Sequence, residues 1–583
     1  MIRGRENMNL KDAVKSIIKP HEDDVLKPLS TEFSENLDPE HILCEYPRPQ
    51  MVRDSYINLN GIWRYAITKE NKLPSEFDGE ILVPFSPEAP LSGAGRQLQP
   101  NEYLWYQRSL PVDSAAFAEG RHLILHFGAV DYLCTLTVNG KEVLTHEGGY
   151  LPFEADITLF LQSEGNVLVL KVQDFTEEKS QARGKQSLKR GGIFYTAQSG
   201  IWQSVWMEWV SPSYIKKLNV QADYDTRKVT VHALLHVDSL DRDVTVSKEH
   251  TVPLADFHPW TPESPYLYDL EISYKNDKVK SYFAFRSYTI EKRDGIPRFC
   301  LNHKPYFLMG VLDQGYWPDG LYTAPSDEAL IYDITVMKEM GFNMLRKHIK
   351  VESARWYYHC DRLGMIVCQD MVNGGSAYHM PVISYLPTLF PRLSSHLKDT
   401  HAAALSREDK KARVQWEKEC MEMIDTLSFF PSISIWCLFN EGWGQFDTVR
   451  LTALVRAKDQ SRLIDSASGW FDQNCGDFIS VHNYFRPLSV PVKKWGERAF
   501  FLSEYGGYAC HLNAHSSVER VFGYKRYDTP AQLREAYREL IQKSLLPLQK
   551  QGLSGAVYTQ LSDVEEEVNG ILTYDRKINK LKV

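Results

Sequence analysis

Apolar and polar positions divide this chain of 583 residues into a part that alternates with period two and a part that does not. From about residue 45 to 211, short stretches such as "HLILHFGAV", "YLCTLTVNGKEV" and "NVLVLKVQD" are β-branched or alternate apolar with polar. That is the pattern of strands with one buried face. Asn139-Gly140 inside "VNGKEV" is the strongest short hairpin signal. Many short strands with turns between them predict a β-sandwich. A second β segment, about 212–292, holds "KVTVHALLHV" and "LYDLEISY". It is short for an immunoglobulin-like sandwich, "DSLDRDVTVSKEH" is compressed, and a strand or two is expected to be missing. Residues 1–44 form a polar, irregular extension with one short helical pattern.

After about residue 293 apolar runs alternate with helical patterns. "DEALIYDITVMKEMG" predicts an amphipathic helix opening near Ser326 and stopping at Gly341. "ESARWYYHCDRLG" and residues 417–430 read as helices, and "FNMLRKH", "MIVCQDM", "ISIWCLFNE", "FISVHNY", "AFFLSEYGG" and "GAVYTQLSD" as strands. This βαβα rhythm predicts a parallel barrel or a doubly wound sheet. No GxGxxG or GxxxxGK[ST] loop follows any strand, which disfavours nucleotide-binding folds. Length favours a (β/α)8 barrel over 293–583. The chain reaches Val583 soon after its last strand, leaving few residues for an eighth helix.

In such a barrel the strand interior is packed and the C-terminal strand ends carry the chemistry. "SIWCLFNEGWGQFD" ends an apolar run on Asn440-Glu441, then Gly442-Trp443-Gly444. "AFFLS" ends on Glu504, "FISVHN" on Tyr484, and "FNMLRK" on His348. Two glutamates aimed into one cleft suit glycosidic cleavage. One protonates the leaving oxygen and the other supplies electron density at the anomeric carbon. Repulsion and unequal burial keep one protonated and one ionised at the same pH. Asn440 could hydrogen-bond a sugar hydroxyl. Trp443 either stacks on a sugar face or packs. Asp370 either lines the cleft or caps a helix. His482 reads as a hydrogen-bonded strand histidine, and the "DVEEE" run with Asp563 as a solvated loop near the rim.

Composition narrows the field. The chain is 43% hydrophobic and 24% charged, as a globular protein is. Its net charge of −8 offers no basic surface for nucleic acid. Thirteen Trp and 31 Tyr fit sugar-stacking clefts and large β cores alike. Nine scattered cysteines without a CxxC pair indicate neither a zinc framework nor a disulfide scaffold. The first residues lack a signal-peptide core, and no apolar run reaches membrane-spanning length. A cytoplasmic location, with no membrane partner, is the expectation.

Several motifs, in order, resemble glycoside hydrolase family 2, the β-galactosidase and β-glucuronidase family. "YPRPQMVRDSYINLNGIWRYAI" and "SGIWQSVWMEWV" resemble the opening and closing of its sugar-binding jelly roll. "GFNMLRKHIKVESARWYYHCDRLGMIV" resembles its third barrel strand region. "WCLFNEGWG" and "FLSEYGG" resemble its acid/base and nucleophile segments. The resemblance implies a jelly roll (45–211), an immunoglobulin-like domain (212–292) and a (β/α)8 barrel (293–583). It implies retaining hydrolysis of non-reducing terminal β-linked sugars, most like a β-galactosidase. Glu441 is then the general acid/base, Glu504 the nucleophile, Asn440 the contact to the 2-hydroxyl and Tyr484 the partner of the nucleophile. His348 and Arg346 would line the sugar subsite. Family members commonly assemble, so a homo-oligomer is among the expectations.

The departures bear on the substrate. Phe194 stands near the place of an Asp that reaches the sugar in the family's β-galactosidases and β-glucuronidases. Glu567 and Asn569 replace the Asn and Lys that receive a uronate in β-glucuronidases, and a carboxylate there would repel one. Tyr558 or Thr559 takes the eighth-strand position that is Trp in several members. The magnesium-binding Glu and His of some β-galactosidases have no clear counterpart in "QDMVNGGSAYH", so no metal or other cofactor is expected. Other family specificities, of the β-mannosidase, β-glucosidase or α-L-arabinopyranosidase type, stay open. So does a carbohydrate-binding protein without turnover. A serine hydrolase is excluded, since no G-x-S-x-G elbow follows a strand.

Overall fold

A computed structural model describes residues 25–112, 120–240, 242–389, 397–490 and 496–582. The first 24 residues of the expected N-terminal extension lie outside these ranges. The first β domain packs a six-stranded sheet, built on Gly61–Thr68, Tyr103–Ser109 and Val167–Gln173, against a four-stranded one. Their inner faces share one core that includes Trp63, Leu104, Leu125, Leu136 and Leu170. The expected hairpin joins Leu133–Val138 to Lys141–Glu147. Asn139 and Gly140 both take positive φ, 50° and 76°, the geometry that a tight two-residue hairpin demands. The closing strand Val205–Val210 pairs with the opening one, Tyr56–Asn58.

The second β domain is reduced, as its length predicts. Among the described residues it has three strands in one sheet and two in the other. Its edge strand, Arg242–Thr251, is exposed at nearly every position.

Eight parallel strands then form the barrel: β1 Leu308–Asp313, β2 Met344–Lys347, β3 Ile366–Asp370, β4 Ile433–Cys437, β5 Leu463–Asp465, β6 Phe478–Asn483, β7 Ala499–Gly506 and β8 Leu553–Thr559. Hydrogen bonds link them in the order β5-β4-β3-β2-β1-β8-β7-β6. The remaining seam, β5 to β6, is crossed by Ser480 Oγ donating to Asp465 Oδ2 at 2.7 Å. Leu312, Met344, Cys368, Ile435, Phe501 and Val557 fill the interior, with Trp260, Tyr288, Phe299 and Leu301 in the same cluster. The barrel is thus a packed core, not a pore.

Helices follow β1, β2, β3, β4 and β7. The first opens at Ser326, whose hydroxyl accepts from the Ala329 amide, and runs Asp327–Glu339. The segment carrying Arg346 and His348 is the second barrel strand, not the third as its resemblance suggested, because Leu308–Asp313 precedes it. No helix follows β8 among the described residues. Residues 560–582 instead fold over the barrel rim, and Lys580 Nζ, buried, anchors them to Asp563 at 2.6 Å and to the Cys510 and Val568 carbonyls. Among the described residues no helix is long and apolar enough to cross a membrane.

Candidate active site

The abrupt end of "SIWCLF" has a steric cause. Glu441, Gly442 and Gly444 all adopt left-handed backbone, with φ of 53°, 77° and 72°, so the chain reverses immediately after β4. The Glu441 amide donates to the Ser468 carbonyl at 3.0 Å, fixing the reversal. A Cβ on Gly444 would lie 2.0 Å from the Gly374 carbonyl oxygen. Only glycine fits there, and the turn also carries a non-glycine left-handed residue, Glu441. Its carboxyl is thereby swung over the barrel mouth, and its side chain keeps 18% exposure.

Glu504 sits deeper, on β7, with a side-chain exposure of 6%. Arg346, fully buried on β2, organises its surroundings. Nε donates to Asp370 Oδ1 at 3.0 Å, one terminal nitrogen to Glu504 Oε1 and to the Ser503 carbonyl at 3.1 Å each, and the other to Asn440 Oδ1 at 2.9 Å. Tyr484 donates its hydroxyl to Glu504 Oε2 and stacks on Tyr524 with centroids 3.9 Å apart. Burial alone would raise the Glu504 carboxyl. His482, Arg346, His348 and the Tyr484 hydroxyl outweigh it and hold the group below the ordinary glutamate range. Glu504 is therefore ionised near neutrality.

Glu441 and Glu504 converge on His482. Nδ1 lies 2.7 Å from Glu441 Oε1, while Nε2 lies 2.9 Å from Ser468 Oγ and 3.5 Å from Glu504 Oε1. One donor atom from each of the three falls within 4.8 Å of the others. A divalent cation would also accept that spacing. The donors, however, are already paired with one another and with Ser468, Tyr484 and Arg346, and we assign them no metal. This carboxyl pair thus has one member shielded by cations and one nearer solvent.

The other expected site residues fall into two groups. Asn440 is 2% exposed, and its amide oxygen faces Arg346. His348 has Nδ1 on Asp370 Oδ2 at 2.8 Å, and no bond engages its Nε2 among the described residues. Three residues expected at the sugar are instead occupied by protein. Arg346 has every donor group committed. Asp370, 1% exposed, neither lines an open cleft nor caps a helix, because its oxygens hold Arg346 and His348. Trp443 is buried and packs between Phe194, 5.5 Å away, and Tyr378, 5.6 Å away.

The "DVEEE" run is not solvated, contrary to its charge density. Every residue from Asp563 to Glu567 is buried, because a loop of the first β domain closes over it. Thr196 N donates to Glu565 at 3.0 Å, Gly192 N to Glu566 at 3.0 Å and the Tyr195 hydroxyl to Glu567. Lys185 Nζ stands 3.8 Å from Glu567 and 5.3 Å over the Trp443 ring. Burial raises the Glu565 and Glu567 carboxyls above the glutamate norm. Lys185, Tyr195, Tyr524, Ser468 and the bridging position of His482 went unread in the sequence, since their partners lie far along the chain.

Comparison with known proteins identifies the family. Residues 93–208 match "Glycosyl hydrolases family 2, sugar binding domain", 213–286 match "Glycosyl hydrolases family 2", and 292–581 match "Glycosyl hydrolases family 2, TIM barrel domain". The chain belongs to glycoside hydrolase family 2. Among curated family 2 relatives, a β-galactosidase of Thermoanaerobacter pseudethanolicus is 21% identical over 72% of this chain and 56% of its own. A β-glucuronidase of Rattus norvegicus is 26% identical over 66% and 62%. The chain thus spans only about half the length of several curated relatives it matches. The solved β-D-glucuronidase of Dictyoglomus thermophilum shares the fold with a TM-score of 0.68 at 18% identity, covering 92% of this chain and 97% of that one.

Proposed function

We propose that this family 2 glycosidase is a retaining exo-β-glycosidase that uses two glutamates. The observation that carries the reading is the convergence of Glu441 and Glu504, with carboxylate oxygens within 4.8 Å at the ends of β4 and β7. In the first step Glu504 bonds to the anomeric carbon as Glu441 gives its proton to the departing oxygen. In the second, Glu441 takes a proton from water, the hydroxide adds to the anomeric carbon, and Glu504 leaves as carboxylate. The anion state of Glu504, held by Arg346 and Tyr484, suits the nucleophile, and the more exposed Glu441 suits the group that meets leaving group and water. Asn440, oriented by Arg346, presents its amide NH2 to a sugar hydroxyl, and His348 Nε2 offers a second contact.

For the sugar, we favour a neutral pyranose of the galactoside kind. Glu567 feels the charge of Glu504, and a uronate entering beside two carboxyls would be repelled. Lys185, 3.8 Å from Glu567, supports a second reading in which a uronate is received by that ammonium. A panel of nitrophenyl β-glycosides decides between them: faster turnover of galactoside than glucuronide supports the first, the reverse the second. Glu504→Gln should lower turnover on the best substrate by at least about three powers of ten. Undiminished turnover in that variant rules out the mechanism, and binding without turnover across the panel indicates a carbohydrate-binding protein.

A further inference from the structure

The turn that carries Glu441 is bordered by an apolar surface that the two glutamates do not use. At the barrel mouth Ile193, Phe194, Tyr378, Met380, Val382 and Trp470, each only partly buried, pack on a buried base that includes Trp443 and Phe471. These residues come from four separate segments: a loop of the first domain and the loops after β3, β4 and β5. Three of the rings lie at shallow angles to one another. Phe194 is 5.5 Å from Trp443 at 29° and 6.1 Å from Tyr378 at 25°. The surface adjoins the proposed proton donor. A Cβ on Gly442, the residue after Glu441, would lie 2.5 Å from the Phe471 ring. Trp470 sits edge-on 5.5 Å from His482, whose Nδ1 is 2.7 Å from Glu441 Oε1.

We infer that this rim is the leaving-group subsite and that it takes a planar aromatic aglycone rather than a second sugar. The inference rests on the two-glutamate reading above, in which Glu441 protonates the departing oxygen. A general acid works within hydrogen-bond reach of the oxygen it protonates. The group bonded to that oxygen therefore lies beside Glu441, and so against these rings. The polar groups on hand decide what that group is. A sugar brings several hydroxyls, each needing a partner once it leaves water. The polar side chains that flank the rim are already engaged by protein. Gln445 Nε2 donates to Thr448 Oγ1 and to the Phe471 carbonyl, and Gln473 Nε2 to the Leu397 and Phe471 carbonyls. Arg498 holds Asp472, and Arg183 donates to the Gly375 and Ser376 carbonyls. Among its own six side chains the rim offers only the Trp470 indole N–H and the buried Tyr378 hydroxyl. A flat aromatic group buries its faces against Phe194 and Trp470 and asks for no polar partner.

Sulfur-linked ligands, which resist cleavage, test this without turnover. Inhibition constants are measured for the methyl, phenyl and naphthyl thio-β-glycosides of the sugar chosen by the panel. The sulfur-linked disaccharide, with glucose in place of the aryl group, is measured beside them. Wild type, Phe194→Ala and Trp470→Ala are compared. Wild type should bind the naphthyl compound at least about tenfold more tightly than the methyl one. The disaccharide should bind no more tightly than the methyl compound. Each substitution should weaken the naphthyl compound by about tenfold and the methyl compound by less than about twofold. A disaccharide that binds more tightly than the naphthyl compound overturns the inference, and so do equal losses for the methyl and naphthyl compounds. Phe194 lies on a different domain from the glutamates, so Phe194→Ala keeps the test decisive if Trp470→Ala disturbs the turn or fails to fold. Turnover of the matching oxygen-linked aryl glycosides separates this inference from the reading beneath it. If Glu504→Gln leaves that turnover undiminished, the two-glutamate reading falls and this inference with it. If Glu504→Gln abolishes turnover while both rim variants spare naphthyl binding, the inference falls alone.

Discussion

Arg346 shows how a single residue can hold several others in place. Its planar fork reaches Asp370, Asn440 and Glu504 together, which a point charge on a flexible stem cannot do. Arg346→Lys should therefore weaken the hold on the Glu504 anion. Because Arg346 holds that carboxyl low, its loss should move the acid limb of kcat/KM to higher pH, with kcat falling as well. A pH–rate profile checks this, and an acid limb left in place contradicts it. Replacement by Met would leave buried carboxylates unpaired and should cost about 3–5 kcal/mol of stability, read by denaturant unfolding. At this scale the sequence speaks unevenly. Glu441 and Glu504 stand out because each interrupts an apolar run, a contrast visible without coordinates. His482 follows one residue of alternation in an ordinary strand, and nothing local says that two distant carboxyls meet on its ring. Arg346 and Asp370 are visible as polar strand ends, but their mutual pairing, which withdraws them from solvent, depends on neighbours far along the chain.

The turn after β4 is where an element, rather than a side chain, does the positioning. Gly444→Ala would place a methyl group 2.0 Å from a backbone oxygen at φ of 72°. Gly140→Ala, also at positive φ but with open space around it, should cost only about 1 kcal/mol. Gly444→Ala should destabilise the fold by clearly more and lower kcat, since Glu441 moves with the turn. Unfolding curves of the two variants, beside their kinetics, test this, and equal losses would contradict it. The strands that apolar runs announced, β2, β3, β4, β6, β7 and β8, are all present. The three-residue β5 offers too few positions for a period, whereas β1, six residues long, went unread although it is as apolar as the others. Charge density misled at Asp563–Glu567, where amides and a phenol from another domain replace water, a partnership that local composition cannot register.

At the scale of the whole molecule the domains are tied by buried polar groups. Arg53 of the first domain pairs with Glu208 at 3.1 Å and with Asp277 of the second at 2.9 Å. Asp361, on the helix after β2, accepts from the Tyr282 hydroxyl of the second domain and from the Ser432 amide, each at 2.8 Å. Burial pushes Asp361 and Glu419 up to about 7 and Glu88 to about 8. Such groups bind protons more tightly folded than unfolded, so stability falls as pH rises through that range. His126 and His146, pushed down to about 4 by burial, act oppositely, but only below about pH 6.5, the ordinary histidine value. Stability, and the melting temperature with it, should therefore fall between about pH 6.5 and 8, by up to roughly 1.4 kcal/mol per pH unit for each carboxyl that still holds its proton in the fold. Calorimetry across that range checks it, and a rising melting temperature contradicts it. All of this scaffolding brings two glutamates, 63 positions apart in the chain, together at one histidine. The most direct test is the stereochemistry of the first-formed product, followed by proton NMR as the best aryl β-glycoside of the panel is hydrolysed. The account predicts the β-anomer first, with slow mutarotation afterwards, and first appearance of the α-anomer would contradict it.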